Sequence, residues 1–454
     1  MAGHGPHPPL LPISEAPRRR RNLHHLSHSS LHSTSLLPLS LPPVPGLPPE
    51  AATTYDLPLH LHTHTHLKTA LQPYFHTLIP NVVVHDFNLY WLPKTAAEFG
   101  VPSVFFSIFT ASVAAYFLSH TRKEGNPHVP TAAEITTPPP GFPPSALHLY
   151  PFEAEQIIHA YTLLESNATM AHRFLQNISD SDMVIFRSCN EMEGKFLEFL
   201  EKQLGNGYKE NRREHEYNKY KNIFTVGIQA PRPGDEPPLV SGGEGGAMKP
   251  WVEALKWLDG QPDRSVTYVA FGSDFVLTAA QIEAVALGLE ASGAPFLWIK
   301  RTPRHVELGA GDGLPDRFED RIEGRGLVVT EWIPQMKVLE HPAVGVFFSH
   351  GGISSSIEGL ASGQRLVALP IQLDQGINTR LVAEELKVVV EVRRTNLEDG
   401  SVSAENVCEA IRRAVSEGDD TETWRNAKDL QERVVHKLEL EDQYVQEFID
   451  RVAF

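Results

Sequence analysis

The sequence predicts an α/β chain whose second half forms a parallel, doubly wound sheet. Three observations carry this. From Gly260 onward, strand-like and helix-like periods alternate. One apolar run, Val344 to Phe348, passes through Ser349-His350-Gly351-Gly352 directly into a helical pattern from Ser354 to Leu360. And 454 residues are enough for two domains, each with its own core.

In the first half the pattern is less regular. Val82 to His85, Val104 to Phe106 and Met183 to Phe186 read as strands. Val101 to Leu118 carries no charge, but Pro102 and the hydroxyls of Ser103, Ser107, Thr110 and Ser112 favour a buried strand-turn-helix over a membrane span. Gly205 to Lys221 is highly charged, has no core-facing period and reads as a solvated, disordered loop insertion. Pro231 to Gly246, rich in Pro and Gly, is the expected interdomain linker. The boundaries that follow are 1–232 for the first domain, 233–250 for the linker, 251–437 for the second domain and 438–454 for a final helix.

In the second half, Val266 to Phe271 is a strand. Thr278 and Gln281 form a capping box, and Ile282, Val285, Ala286 and Leu289 then give the apolar stripe of a helix packed on a sheet. Phe296 to Ile299, Leu327 to Thr330, Val344 to Phe348, Leu366 to Leu369 and Val388 to Val392 are further strands. Helices are expected near 354–362, 377–386 and 403–416, with amphipathic ones near 421–437 and 440–452. In such a sheet, ligands sit at the carboxyl ends of the strands, where Ser273, His350 and Asp374 fall.

Bulk properties exclude several classes. A net charge of −16 argues against nucleic acid, whose phosphates require a basic footprint. Two distant cysteines, Cys189 and Cys408, exclude a disulfide framework and fit a reducing compartment. The start of the chain lacks the apolar core of a secretory signal, so a cytoplasmic protein without membrane insertion is expected and the sequons at Asn167 and Asn177 are idle. A monomer is the expected state. His60, His62, His64 and His66 would share one strand face, but the reading is surface or cleft histidines, with no metal implied.

The stretch from Trp332 to Gln375 carries the chemistry. A strand feeding a Gly-containing turn into a helix start is an anion site, because the first N–H groups of the helix have no internal partner and its dipole is positive there. His350 and the hydroxyls of Ser354, Ser355 and Ser356 cluster at that point. Glu358, one turn beyond Ser354, can accept hydrogen bonds from a ribose diol. Trp332 offers a face for a base, and Gln335 offers a donor and an acceptor. A nucleotide diphosphate bearing a further group is the expected guest.

The same stretch resembles the signature box of plant family 1 UDP-glycosyltransferases. The matches are Trp332, Pro334-Gln335, Leu339, His341-Pro342, Gly345, Phe347, His350, Gly352, Ser355, Glu358, Gly363, Pro370 and Asp374-Gln375. The resemblance implies a GT-B type architecture, two Rossmann-like domains facing across a cleft, with the last helix crossing back to brace the first domain. It also implies a donor site of Thr110, Ser273, Trp332, Ile333, Gln335, His350, Gly352, Ile353, Ser354, Ser355, Glu358, Asp374 and Gln375. In that site Trp332 would stack on uracil and Glu358 hold the ribose. His350, Ser354 and Ser355 would hold phosphates, while Asp374 and Gln375 bind sugar hydroxyls. Gly351, Ile353 and Ser354 stand where the family usually has Cys, Trp and Asn. The run Arg187-Ser188-Cys189-Asn190-Glu191-Met192-Glu193 resembles the branch that extends sugars on flavonoid or terpenoid glycosides.

By the same likeness the catalytic pair is His7, with His4 its nearest competitor, and the orienting Asp86. No strand precedes His7 in this chain, and Pro12 and Pro17 interrupt the expected first helix, so the first β-α unit is expected to be incomplete. The function implied is inverting transfer of a sugar, glucose by the lean of Gln375, from a UDP-sugar co-substrate to a hydroxyl of a small plant-type metabolite, without a cofactor. The alternatives are a catalytically silent UDP-sugar-binding protein and a two-domain UDP-sugar epimerase.

Overall fold

The computed structural model describes residues 68, 71, 74–76, 80–120, 122–123, 126–162, 164–165, 168–207, 222–231, 249–272, 277–301, 313–418 and 420–452. His4, His7, the four alternating histidines, Asn167, Ser273, residues 208–221 of the charged segment and residues 232–248 of the linker region lie outside them.

In chain order the strands of the two larger sheets are β1 (Val83–His85), β2 (Ser103–Ser107), β3 (Met183–Phe186), β4 (Asn222–Thr225), β5 (Val266–Ala270), β6 (Phe296–Ile299), β7 (Gly326–Val329), β8 (Val344–Ser349), β9 (Arg365–Ala368) and β10 (Val389–Glu391). The principal helices are α1 (Leu92–Glu98), α2 (Ala111–His120), α3 (Pro151–Thr162), α4 (Met170–Asp180), α5 (Asn190–Gly207), α6 (Lys249–Asp259) and α7 (Ala279–Ser292), then α8 (Gln335–Leu339), α9 (Ile353–Ala361), α10 (Gln375–Arg380), α11 (Ala404–Ser416), α12 (Glu422–Leu430) and α13 (Leu438–Val452).

The described residues fall into two compact units. The first unit comprises residues up to Ile108, Leu163–Ile185 and Lys221–Phe224. It holds most of a four-stranded sheet of order β1-β2-β3-β4, in which β1 and β2 run parallel with Val84 opposite Val104. The side chain of Asp182 ties the start of β2 by accepting from the Ser103 N–H (2.9 Å) and hydroxyl (3.0 Å). Helix α4 seats its apolar and polar groups together: Asn177, fully buried, donates to the carbonyl of Phe87 at 2.8 Å.

The second unit comprises Phe109–Thr162, Phe186–Tyr220 and Thr225–Phe454. Its sheet has the order β7-β6-β5-β8-β9-β10, and every pairing in it is parallel. Numbered within the sheet this is 3-2-1-4-5-6, so the strand order reverses between β5 and β8. All residues of β5 and β8 are buried, as expected for strands covered on both faces. Helix α7 opens with the capping box of Thr278 and Gln281, and Ile282, Val285, Ala286 and Leu289 are all buried. Val101 to Leu118 resolves into β2 and α2, and no described helix is long and apolar enough to cross a membrane. The C-terminal α13 is tied to the start of α5, where the Tyr444 hydroxyl accepts from the Asn190 N–H and donates to Glu191, each at 3.0 Å.

Candidate functional site

In sheets of this order the reversal point, here between β5 and β8, is where a crevice for ligands forms at the carboxyl ends. Gly272, just past β5, and His350, just past β8, meet there. A Cβ on Gly272 would lie 3.1 Å from the imidazole Cε1, and one on Gly352 would lie 2.6 Å from Nε2. The His350 ring is therefore sandwiched between two stretches of bare backbone, and a side chain at either glycine would displace it. Gly351, between them, has φ +72°, a conformation that costs an L-residue energy, and its missing Cβ would strike the Thr379 hydroxyl.

Helix α9 starts at this point with Gly352 as N-cap, and no side chain caps it. Its leading N–H groups thus face the crevice as donors, backed by the positive end of the dipole. Ser355 is buried and Ser354 half-buried at the same end. Ser356, also buried, donates its hydroxyl back to the Gly352 carbonyl at 3.2 Å, so of the three serines it is the one committed to the helix itself. Ile353 is buried and belongs to the same apolar cluster as Ile333, Met336, Phe347, Cys189 and Ile228, so Ile333 and Ile353 pack the loop before α8 and the start of α9.

Across from α9, Gln335 opens α8 and donates its side-chain amide to Glu358 at 2.5 Å. Tyr268 of β5, stacked on Phe347, donates its hydroxyl to the Gln335 amide oxygen at 3.5 Å. Glu358 is thereby a buried carboxylate, only 8% exposed, held by a neutral donor. Trp332, three residues before Gln335, is 53% exposed. A large indole left to solvent is a natural surface for a flat ring.

The β9–α10 loop brings in the third group. Asp374 is half-buried; desolvation pushes its carboxyl above the usual range, opposed by the hydrogen bond from Asn378 Nδ2 at 2.8 Å. Asn378 in turn accepts from the Thr110 hydroxyl at 3.0 Å. Thr110 also caps α2, its Oγ accepting from the Val113 N–H at 3.3 Å. Gln375, buried, has its amide oxygen occupied by the N–H groups of Ile371 (2.8 Å) and Gln372 (3.1 Å), so its NH₂ is the group left for a ligand.

In the first unit, Asp86 follows β1 and accepts from the Asn88 N–H at 3.0 Å as the N-cap of a single 3₁₀ turn, Phe87–Leu89. Its neighbour His85 is buried, with ring nitrogens on the Ser181 hydroxyl (3.1 Å) and the Asp86 carbonyl (3.2 Å); desolvation lowers its pKa to about 4. His85 is a neutral structural imidazole. Among the described residues, no group of three or more His, Cys, Asp or Glu is placed to hold a metal ion.

Four residues in this network were absent from the sequence-based site. Asn378 could have been found, because an amide four residues after Asp374 on a helix start shares its face. Tyr268 carried no signal beyond a strand aromatic. Glu193, buried, caps α2 by accepting from the N–H of Ser112 (2.8 Å) and Ala111 (3.3 Å) and from the Ser188 hydroxyl (2.5 Å). Arg187 donates to the Ser354 hydroxyl at 2.7 Å. Both lie in the run 187–193, which stood out only by its resemblance.

Comparison with known proteins gives a consistent answer. Residues 244–418 match the family model described as UDP-glucoronosyl and UDP-glucosyl transferase. The chain is 32% identical over 449 residues to UDP-glycosyltransferase 91D1 of Stevia rebaudiana, covering 95% of this chain and 84% of the relative. It is 32% identical over 393 residues to the anthocyanidin 3-O-glucoside 2″-O-glucosyltransferase of Ipomoea purpurea, covering 85% and 79%. Among solved structures, a transferase from Siraitia grosvenorii in complex with UDP superposes with a TM-score of 0.65 at 22% identity, covering 92% of this chain and 89% of that one.

Proposed function

Because the chain belongs to the plant UDP-glycosyltransferase family, with the α/β fold of GT-B type enzymes, we propose that it transfers glucose from UDP-glucose to a sugar hydroxyl of a small plant glycoside, with inversion. That it is a glycosyltransferase follows from the family; the donor sugar, the acceptor and the stereochemistry are the proposal. One observation carries it: the segment Trp332–Glu358 holds an uncapped helix start, a buried carboxylate bonded to an amide and an exposed indole.

In this reading the α9 N–H groups, His350, Ser354 and Ser355 take the diphosphate, Glu358 takes the ribose, and Trp332 stacks on uracil. Asp374 and Gln375 take sugar hydroxyls, with Thr110 supporting Asp374 through Asn378. The acceptor oxygen attacks the anomeric carbon as the bond to the UDP oxygen breaks, and its proton passes to a base. That base is His7, oriented by Asp86. The negative charge developing on UDP is met by the helix start and His350, the role other transferases give to a cation. The Ipomoea relative's name, a transferase adding glucose to a glucoside, supports an acceptor that already bears a sugar. Residues 1–232 would bind it, and the bonds of Tyr444 to Asn190 and Glu191 support α13 as a brace on that region.

The test incubates the purified full chain with UDP-glucose and a panel of flavonoid and terpenoid glycosides. A β-linked disaccharide product, whose formation falls by about 10²–10⁴ in His7→Ala or Asp86→Ala, is expected. UDP binding without transfer to any acceptor would replace this reading with a silent binding protein.

A further inference from the structure

The segment Arg187–Glu193 is the part of the second unit whose construction the donor-site reading leaves unused. Arg187 is the first residue past β3, and its guanidinium is fixed from two sides. Nε donates to the Ile228 carbonyl at 2.7 Å and Nη2 to the Gln229 carbonyl at 3.1 Å. Those carbonyls are themselves held: Gln229 sits at φ +50°, in the left-handed region that a non-glycine residue seldom adopts, and its side-chain amide donates back to the Val226 carbonyl. With its plane set by this clamp, the guanidinium donates through Nη1 to the Ser354 hydroxyl at 2.7 Å.

The chemistry of that last contact is directional. A guanidinium is only a donor, so the Ser354 oxygen must accept, and the hydroxyl keeps its own hydrogen to give elsewhere. Ser354 is the second residue of α9, where the uncapped N–H groups also donate. Arg187 therefore does two things at one place. It orients a neutral donor, and it adds a permanent cation to an end of the helix that otherwise carries only a partial charge. The serine is short enough to allow this; a longer side chain at 354 would occupy the position of Nη1.

We propose that Arg187 is a positioning residue of the donor site, acting through Ser354 to hold its hydroxyl and a fixed positive charge against the donor diphosphate. This rests on the reading of the α9 start as the UDP site. Its specific content is selectivity for charge: Arg187 contributes to binding of the diphosphate and not of the nucleoside.

Calorimetry with UDP and with uridine separates the two. Arg187→Ala is expected to weaken UDP about tenfold or more while uridine changes by less than about twofold, as for loss of a charge-assisted donor. Arg187→Lys, which keeps the charge and loses the fork, is expected to fall between wild type and Arg187→Ala. Ser354→Ala is expected to weaken UDP, and to add little once Arg187 is gone. An equal loss for uridine and UDP would make Arg187 merely structural and overturn the inference, as would unchanged UDP affinity. Should Arg187→Ala fail to fold, wild-type UDP affinity in both Arg187→Lys and Ser354→Ala overturns it. A wild-type chain that binds neither UDP nor uridine would remove the functional reading itself, and this inference with it.

Discussion

Gln335 and Glu358 are joined by a 2.5 Å hydrogen bond between the first residue of α8 and the middle of α9. The amide neutralises no charge, yet it holds one carboxylate oxygen and so fixes the plane in which the other can accept. If Glu358 reads a ribose diol, wild-type protein binds UDP more tightly than 2′-deoxy-UDP, by about tenfold for one hydrogen bond to a charged group. Glu358→Ala is expected to weaken UDP and to abolish this discrimination in calorimetric titrations. A variant that still discriminates would assign the ribose to another residue.

Asp374 leans on Asn378 in a different way. Burial raises the carboxyl's pKa and the Asn378 hydrogen bond opposes the rise, so removing the amide moves the group further up. An acceptor carboxylate is lost as pH falls through its pKa, and Asn378→Leu should therefore shift the acidic limb of the donor kcat/KM profile to higher pH. UDP affinity should stay near wild type. A profile that does not move would show that Asp374 titration does not limit donor use.

Arg380 is fully buried and lies against Glu153 at 2.8 Å, with Glu391 at 3.3 Å and the Tyr150 ring 4.1 Å away. Removing Glu153 leaves the buried cation with Glu391 alone, at the longer distance. Glu153→Ala is expected to destabilise the fold by about 3–5 kcal/mol in denaturant unfolding. Glu153→Ala with Arg380→Met should recover part of the loss, because the under-paired cation is then gone and Glu391, freed of the guanidinium that favours its charged form, can take up a proton.

His85 makes stability depend on pH. Its folded pKa of about 4 lies below the ordinary 6.5, so between those values the unfolded chain binds the additional proton. Its contribution is complete above pH 6.5 and is lost progressively as pH falls toward 4, with a limiting slope of about 1.4 kcal/mol per pH unit. His85→Asn should flatten the fall in unfolding free energy over that window relative to wild type. Parallel curves for the two proteins would mean that the imidazole is equally protonated in both states.

The second half was readable because its signals are local. Strands buried on both faces appear as runs such as Val344–Phe348, and a capping box announces α7; the structure moves these boundaries by a residue or two. Less local features were not readable. The π-helical turns Leu381–Glu385 and Gln431–Val435 continue α10 and α12 without any break in periodicity to reveal them. Strand β4 follows a long charged stretch and is too short to show a period. The residues of the proposed donor site came from the resemblance of the Trp332–Gln375 stretch, whereas their supports did not. Thr110 meets Asn378 across 268 positions and Arg187 meets Ser354 across 167, separations at which no sequence period operates. Asp86 caps a turn, as a carboxylate after a strand often does, and that local role is compatible with the catalytic one assigned to it.

The burial of Asn177 bears on how the protein is to be made. Its amide nitrogen, the atom to which an N-glycan would be attached, is spent on Phe87 inside the first unit. Producing the chain through a secretory host would offer this asparagine for modification while α4 is still unfolded, and a branched sugar there could not be packed away afterward. Secretory yeast or insect-cell material should accumulate as misfolded glycoprotein, whereas bacterial expression avoids the conflict altogether.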